Sequence, residues 1–143
     1  DELKKRLESI RLQIGPRMNL GDVAKKTVPK LSLIAPPIQG GFVHTRTFIP
    51  RVCHAAIGVL GAVSVATACI LPGSIAEGIV EFPGSNVLSI EHPSGEFSVD
   101  LDVVQHNDHY EIRRSGVLRT ARLISKGELY IPAGIWDENE SVG

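Results

Sequence analysis

Between Arg51 and Gly73 the chain reads RVCHAAIGVLGAVSVATACILPG, and the seventeen residues from Ala55 to Leu71 carry no charge. Such a stretch must be hidden from water, in a bilayer or in a protein core, and the rest of the chain has to be built around it. Cys53 to Leu71 is nineteen residues, about 28 Å of helix at ~1.5 Å per residue, so length alone permits a membrane span. Composition argues otherwise. Gly58, Gly61 and the alanines at 55, 56, 62, 66 and 68 make the segment narrow, and the aromatic belt of a membrane interface is missing. A small-residue helix that is apolar on every side suits the centre of a fold, where strands can approach its backbone. The expectation is a buried core helix over residues 53–71 and no membrane span.

The flanks predict what surrounds it. Residues 2–14 place Leu3, Leu7, Ile10 and Ile14 at helical spacing, and Gly15-Pro16 ends that helix. A loop follows, with Gly21 and Asp22 as turn formers. VPKLSLIAPP (28–37) and FVHTRTFI (42–49) read as strands joined through a turn at 39–41. Residues 73–82 are ambiguous between loop and short helix. NVLSIEH and EFSVDLDVV flank a hairpin turn at Pro93-Ser94-Gly95. HYEIRRSG, VLRTARLI and GELYIP extend a meander, with turns near Ser115-Gly116 and Lys126-Gly127, before the acidic tail WDENESVG, which is expected to fray. The fold class is α+β: an antiparallel sheet or open barrel wrapped around one central apolar helix.

A chain of 143 residues suits one domain, 1–143. The net charge of −1, with no basic block beyond Lys25-Lys26, argues against nucleic acid or an anionic membrane surface as partner. Cys53 and Cys69 on one helix would stand roughly 24 Å apart, too far to bridge. A reducing, cytoplasmic setting fits, and the charged N-terminal stretch is no signal peptide. The chain starts without Met, which suggests a processed, trimmed or excised piece of a longer protein, although removal of a tag would look the same.

The start of the apolar segment is where chemistry is expected. Pro50 breaks the preceding strand, and a helix opening at Cys53-His54-Ala55-Ala56 offers unpaired N–H groups suited to a carboxylate. Arg46 and Arg51 lie near enough in sequence to fork onto it. Spacing alone leaves two readings open, a helix end that binds only water and an anion site. Cys53 stands where a nucleophile or acid–base thiol would, or is a small buried hydrophobe; Cys69, deep in the apolar run, reads as inert. His44 with His54, and His106 with His109 around Asp108, are weak metal pairs, and no metal site is expected. No phosphate-binding loop, nucleophile elbow or Cys-x-x-Cys occurs. Asp22, Lys30, Arg119 and Arg122 read as surface charges.

VPKLSLIAPP, then Arg46, Phe48 and His54-Ala55-Ala56 along residues 43–56, then GAVSVATACILPG, EHPSGEF and GVLRTARLISKGELYIP together resemble the PrpF-type methylaconitate isomerase family, in its oxalomesaconate-type tautomerase branch. The resemblance runs from about residue 3 to residue 132. It implies a diaminopimelate-epimerase-like fold whose two halves each wrap a sheet around a central helix and hold substrate between the helix N-termini. The implied reaction shifts a proton across an allylic or keto–enol system in a di- or tricarboxylate, without cofactor or metal, as in aromatic compound degradation. His54 matches the family's His at the helix start and Arg46 its Arg on the preceding strand. Gly21 and Asp22 resemble a loop near the cleft. Phe48-Ile49 depart from the Ser-Met of many members.

The resemblance also implies that only the C-terminal half is present and that an N-terminal domain with a Lys and a Cys as the principal acid–base groups is missing. The resulting expectation is His54 and Cys53 as catalytic residues, with Arg46, Arg51, Ala55, Ala56, Gly21 and Asp22 binding the substrate carboxylate. The isolated chain is expected to be inactive. The alternative is a non-catalytic binding or assembly module, a half-domain that pairs with a separate chain or with itself as a homo-oligomer.

Overall fold

The structure is a computed structural model that describes residues 1–107, 109–132 and 134–135. Along the chain run α1 (Glu2–Arg17), β1 (Leu31–Ala35), β2 (Val43–Ile49), β3 (Val52–Cys53), α2 (Val59–Ile70), β4 (Val87–His92), β5 (Gly95–His106) and β6 (His109–Val117). β1, β2 and the β4–β5 hairpin at Pro93-Ser94 fall where residue alternation puts them.

β2 organises the sheet. β1 pairs antiparallel along one edge, from Leu31 opposite Phe48 to Ala35 opposite His44. The other edge is shared. β3 takes its end, with Cys53 opposite Phe48, and β4 takes its start, with Ile90 beside Val43 and Glu91 beside His44. The β2–β4 pairing is parallel, so the chain must cross over between them, and α2 lies in that crossover. The sheet is therefore mixed, where an antiparallel one was expected. β4, β5 and β6 then follow as an antiparallel meander.

Side-chain alternation gives the sheet two unlike faces. Val43, Leu88, Ile90, Phe97, Val99 and Leu101 share one and pack with Phe42, Ile57, Ala62, Val65 and Ala66 into the core. His44, Arg46, Phe48, Cys53 and Glu91 belong to the other by register.

The apolar segment is not one helix from Cys53. Val52-Cys53 pair with β2, and residues 54–58 are spent leaving the sheet. α2 begins at Val59, with Gly58 at its N-cap. Ala62 and Ala66 are fully buried, so small side chains do allow sheet and helix to approach closely. Leu60, however, is 82% exposed. Within this chain α2 lies against one face of the sheet and keeps a solvent side, rather than being enclosed as a central helix. Among the described residues no helix is long and apolar enough to cross a membrane.

α1 also differs from its expected face. Leu7, Glu8, Arg11 and Gly15 are buried, whereas Leu3, Ile10 and Ile14 remain exposed. The reason is Arg11, 1% exposed. Its Nη1 donates to the carbonyls of Val23 (2.9 Å), Lys26 (3.1 Å) and Val28 (2.7 Å), and Nε and Nη2 donate to Glu8 at 2.8 and 2.9 Å. With every acceptor charged or carbonyl, a buried guanidinium replaces an apolar stripe as the clamp between α1 and the following loop. The helix continues past Gly15-Pro16 to Arg17, because the Met18 N–H finds the Ile14 carbonyl at 3.0 Å.

Two C-terminal expectations fail. Ser115-Gly116 is not a turn; the pair sits inside β6 opposite Leu101 and Asp100, and an irregularity at Asp102/Val103 absorbs the register shift. Past Val117, which ends β6, VLRTARLI and GELYIP form no strand, and the turn at Lys126-Gly127 goes with them. After the Leu118 N–H reaches the Ser98 carbonyl at 3.1 Å, the chain leaves the sheet with Leu123, Ile124, Leu129 and Tyr130 exposed. Residues 73–79 take successive turns rather than a short helix. The acidic tail and Asp108 lie outside the described residues.

Candidate functional site

The residues expected to form one site are distributed over three places. The first is the strand end after β3. The His54 N–H donates to the Thr47 carbonyl at 2.8 Å, continuing the β2–β3 pairing beyond its ladder. The Ala56 N–H donates to His54 Nδ1 at 2.9 Å. Both N–H groups are thus engaged within the chain, and the four-residue anion-binding helix start expected at 53–56 does not form. The physical reason is that pairing with β2 requires extended backbone at Cys53, which is incompatible with a helical first turn there. Accepting at Nδ1 leaves the proton of neutral His54 on Nε2, and the ring is exposed. The Cys53 thiol donates to the His54 carbonyl at 3.7 Å. Cys69 lies on α2, away from β3, and burial pushes its thiol up to about 11. Both cysteines are free.

The second place is the underside of α1. Arg51 Nη2 donates to Glu8 Oε1 at 3.1 Å, the carboxylate that Arg11 already holds. The Arg11 hydrogen bonds hold Glu8 at about 2 against the raising effect of burial, with Arg51 contributing further. Gly21, at φ +65°, and Asp22, whose Oδ1 accepts the Ala24 N–H at 2.9 Å, shape the loop that Arg11 clamps. A cavity of about 290 Å³ opens here between Arg11, Lys25, Lys26, Thr27 and Arg51. A second, of about 320 Å³, lies under Phe82, Leu101 and Tyr110. Neither is lined by Arg46, Cys53 or His54.

The third place holds Arg46 with two residues that the sequence did not assign to the site, His44 and Glu91. On the sheet face away from α2, Glu91 is 2% exposed and accepts N–H groups from Ile38 (2.8 Å), Gln39 (2.7 Å) and Gly41 (2.9 Å). His44 Nδ1 is 3.3 Å from Glu91 Oε2. Burial alone would raise the Glu91 carboxyl; the three N–H groups and His44 more than offset it and hold it at about 2. Gly41 is required, because a Cβ there would stand 2.7 Å from Glu91 Cγ. With its Nδ1–H directed at a carboxylate, His44 turns the lone pair of Nε2 outward, and Arg46 Nη1 donates to it and, at 2.9 Å, to the Thr45 carbonyl. Both Nη1 protons are therefore taken. The Nε–Nη2 edge, the one that forks onto a carboxylate, has no partner among the described residues. His44 and Arg46, two apart on a strand, did signal a shared face; Glu91 gave no signal, because its partners come from a loop some fifty residues earlier.

Among the described residues there is no group of three or more His, Cys, Asp or Glu able to hold a metal ion. His106 and His109 stack with ring centroids 5.0 Å apart at the β5–β6 hairpin, and His106 Nε2 lies 2.8 Å from Glu111 Oε2.

The described residues form a mixed sheet curved into a half-barrel, with two helices. The chain superposes on a crystal structure of methylitaconate-delta-isomerase with a TM-score of 0.63, over 82% of this chain and 36% of that one; at 17% identity the likeness is one of fold. The model of the PrpF protein family matches residues 1–132, and the chain belongs to that family. It is 52% identical over 136 residues to 4-oxalomesaconate tautomerase of Pseudomonas putida (strain KT2440), covering 94% of this chain and 37% of that protein. It is 51% identical over 132 residues to (4E)-oxalomesaconate Delta-isomerase of Novosphingobium sp. (strain KA1), covering 91% and 36%. The chain thus spans little more than a third of the length of the curated relatives it matches.

Proposed function

We propose that this chain is the carboxylate-holding part of a cofactor-independent isomerase that moves a proton within an unsaturated di- or tricarboxylate, in a keto–enol shift of the 4-oxalomesaconate type. The carrying observation is Arg46: its guanidinium is held through Nη1, and its forking edge has no partner among the described residues. The names of the two relatives at about half identity, both naming oxalomesaconate, support the same chemistry. Arg46 pairs with a substrate carboxylate. His54 presents Nε2–H as a donor for the charge that develops on the enolate oxygen, and the Cys53 thiol is the adjacent proton carrier. Ala55 and Ala56 keep the approach open. Arg51 is committed to Glu8, and Gly21 and Asp22 to their own loop, so none of the three is given a substrate role.

The rest of the site belongs to polypeptide outside this chain, the other half of a diaminopimelate-epimerase-like pair in the cytoplasm. The solvent side of α2 and exposed Leu123, Ile124, Leu129 and Tyr130 support such a covering partner. The same apolar surface favours the second reading, an assembly module that binds its own copy.

Adding 4-oxalomesaconate to the purified chain and following the change in enol absorbance tests the first reading. No turnover is expected; ready turnover would overturn the claim that the chain is an incomplete site. The mass of the polypeptide bearing this sequence in its source cell separates the readings further. A value well above 15.4 kDa supports the longer isomerase, and a value at 15.4 kDa the assembly module.

A further inference from the structure

We infer that His44, backed by Glu91, is a positioning residue for the carboxylate anchor: it holds the Arg46 guanidinium by one nitrogen so that the opposite edge meets an incoming carboxylate already oriented. This rests on the reading of Arg46 given above and goes beyond it by naming what sets the arginine's geometry.

The argument is one of donor and acceptor inventory. A guanidinium has five N–H donors, and an arginine on an open strand would sample many rotamers. Here Nη1 spends its two protons on His44 Nε2 and the Thr45 carbonyl. Imidazole accepts at Nε2 only while Nδ1 carries the ring proton, and Glu91 selects that tautomer by standing 3.3 Å from Nδ1. Glu91 can serve only as an anion held in place, and the N–H groups of Ile38, Gln39 and Gly41 hold it. The parallel β2–β4 register sets His44 directly beside Glu91. Along β2, Arg46 and His44 point to the same face, flanked by Leu33 and Ala35 across the β1 pairing. The chain of contacts thus runs from a fixed loop, through a carboxylate and a ring, to a guanidinium whose Nε–Nη2 edge has no partner among the described residues. Orienting a long side chain before the ligand arrives removes an ordering cost otherwise met on binding.

The test uses the whole 143-residue chain and cis-aconitate as the probe, with affinity read by titration and the Arg46 Nε–H signal followed by NMR. R46K identifies that signal and removes the fork. If R46K binds the probe as tightly as the parent, the reading of Arg46 as anchor falls, and this inference with it. If R46K loses binding, the His44 variants decide. H44F removes both ring nitrogens and is expected to weaken binding about tenfold, with the Arg46 Nε–H signal moving to the position of an unrestrained arginine. H44Q keeps an acceptor near Nε2 and is expected to recover most of the affinity; H44N keeps only a group near Nδ1 and is expected to resemble H44F. Should H44F fail to fold, the Gln and Asn variants still separate the outcomes. Equal affinity for H44Q and H44N, both within twofold of the parent while R46K is dead, would overturn the positioning role and leave the anchor standing.

Discussion

Glu91 Oε2 lies 3.3 Å from His44 Nδ1, and the two residues are direct neighbours in the β2–β4 parallel register. That pairing is the only parallel one among the described strands. It brings a carboxylate from the second half of the chain under a histidine from the first, and the loop before β2 closes over both. Stability and the geometry of Arg46 are thereby coupled through one buried anion.

Glu91→Gln keeps the shape and removes the charge. One of its two oxygens becomes an NH₂ facing backbone N–H donors. The expected loss is on the order of 3 kcal/mol, read as a lower urea midpoint, with faster hydrogen exchange at Gln39 and Gly41. A variant as stable as the parent would contradict the hydrogen-bond assignment.

Acid should act through the same group. Glu91 and Glu8 both titrate at about 2 in the folded chain, below the ordinary 4.5. A depressed carboxyl stabilises the fold fully above its unfolded value, and that contribution is lost as pH falls through the folded one. Urea midpoints are therefore expected to drop between pH 4.5 and about 2, less steeply in Glu91→Gln than in the parent.

Arg11→Met retains the unbranched stem of the side chain and discards its donors. It leaves Glu8 and the carbonyls of Val23, Lys26 and Val28 without their shared partner. A cost of roughly 3–5 kcal/mol follows, as for other broken buried pairs. Thermal unfolding measures it; a change below about 1 kcal/mol would show that the clamp is dispensable.

Gly15 is a packing requirement. A Cβ there would lie 2.5 Å from Val23 Cγ2, a side chain only 1% exposed. Gly15→Ala is expected to cost about 1–3 kcal/mol. Gly116→Ala in β6 meets nothing within 4 Å and is expected to be neutral or to gain about 0.5 kcal/mol. Chemical denaturation of the two variants side by side checks the contrast.

The Cys69 thiol, pushed up to about 11 by burial, should alkylate slowly. In a Cys53→Ser background its labelling rate by iodoacetamide is expected to climb about tenfold per pH unit from 8 to 10, because only the thiolate reacts. A plateau below pH 9 would contradict the buried environment.

The candidate site was half legible from sequence. Arg46 and His54 could be picked out by their place ahead of the apolar run, and the small residues of that run did foretell a close helix–sheet contact at Ala62 and Ala66. Where the helix begins could not be read from hydropathy, since Cys53 to Gly58 are as compatible with a strand end and loop as with a first turn. Only the pairing of Phe48 with Cys53 decides it. VLRTARLI and GELYIP show the reverse error: their alternation is that of strands, yet past Val117 they pair with no neighbour among the described residues.

What the sequence determined by itself is local: the hairpin turn at Pro93-Ser94, the alternation of β1, β2 and the β4–β5 hairpin, and a segment too apolar to stay in water. Those follow from backbone sterics and hydration, which act over a few residues. The tertiary structure alone decided that Arg11 and Glu91 would be buried and that Arg46 would be held by His44. A buried charge is tolerable only when partners distant in sequence surround it, so its fate is written in the fold and not in its neighbours.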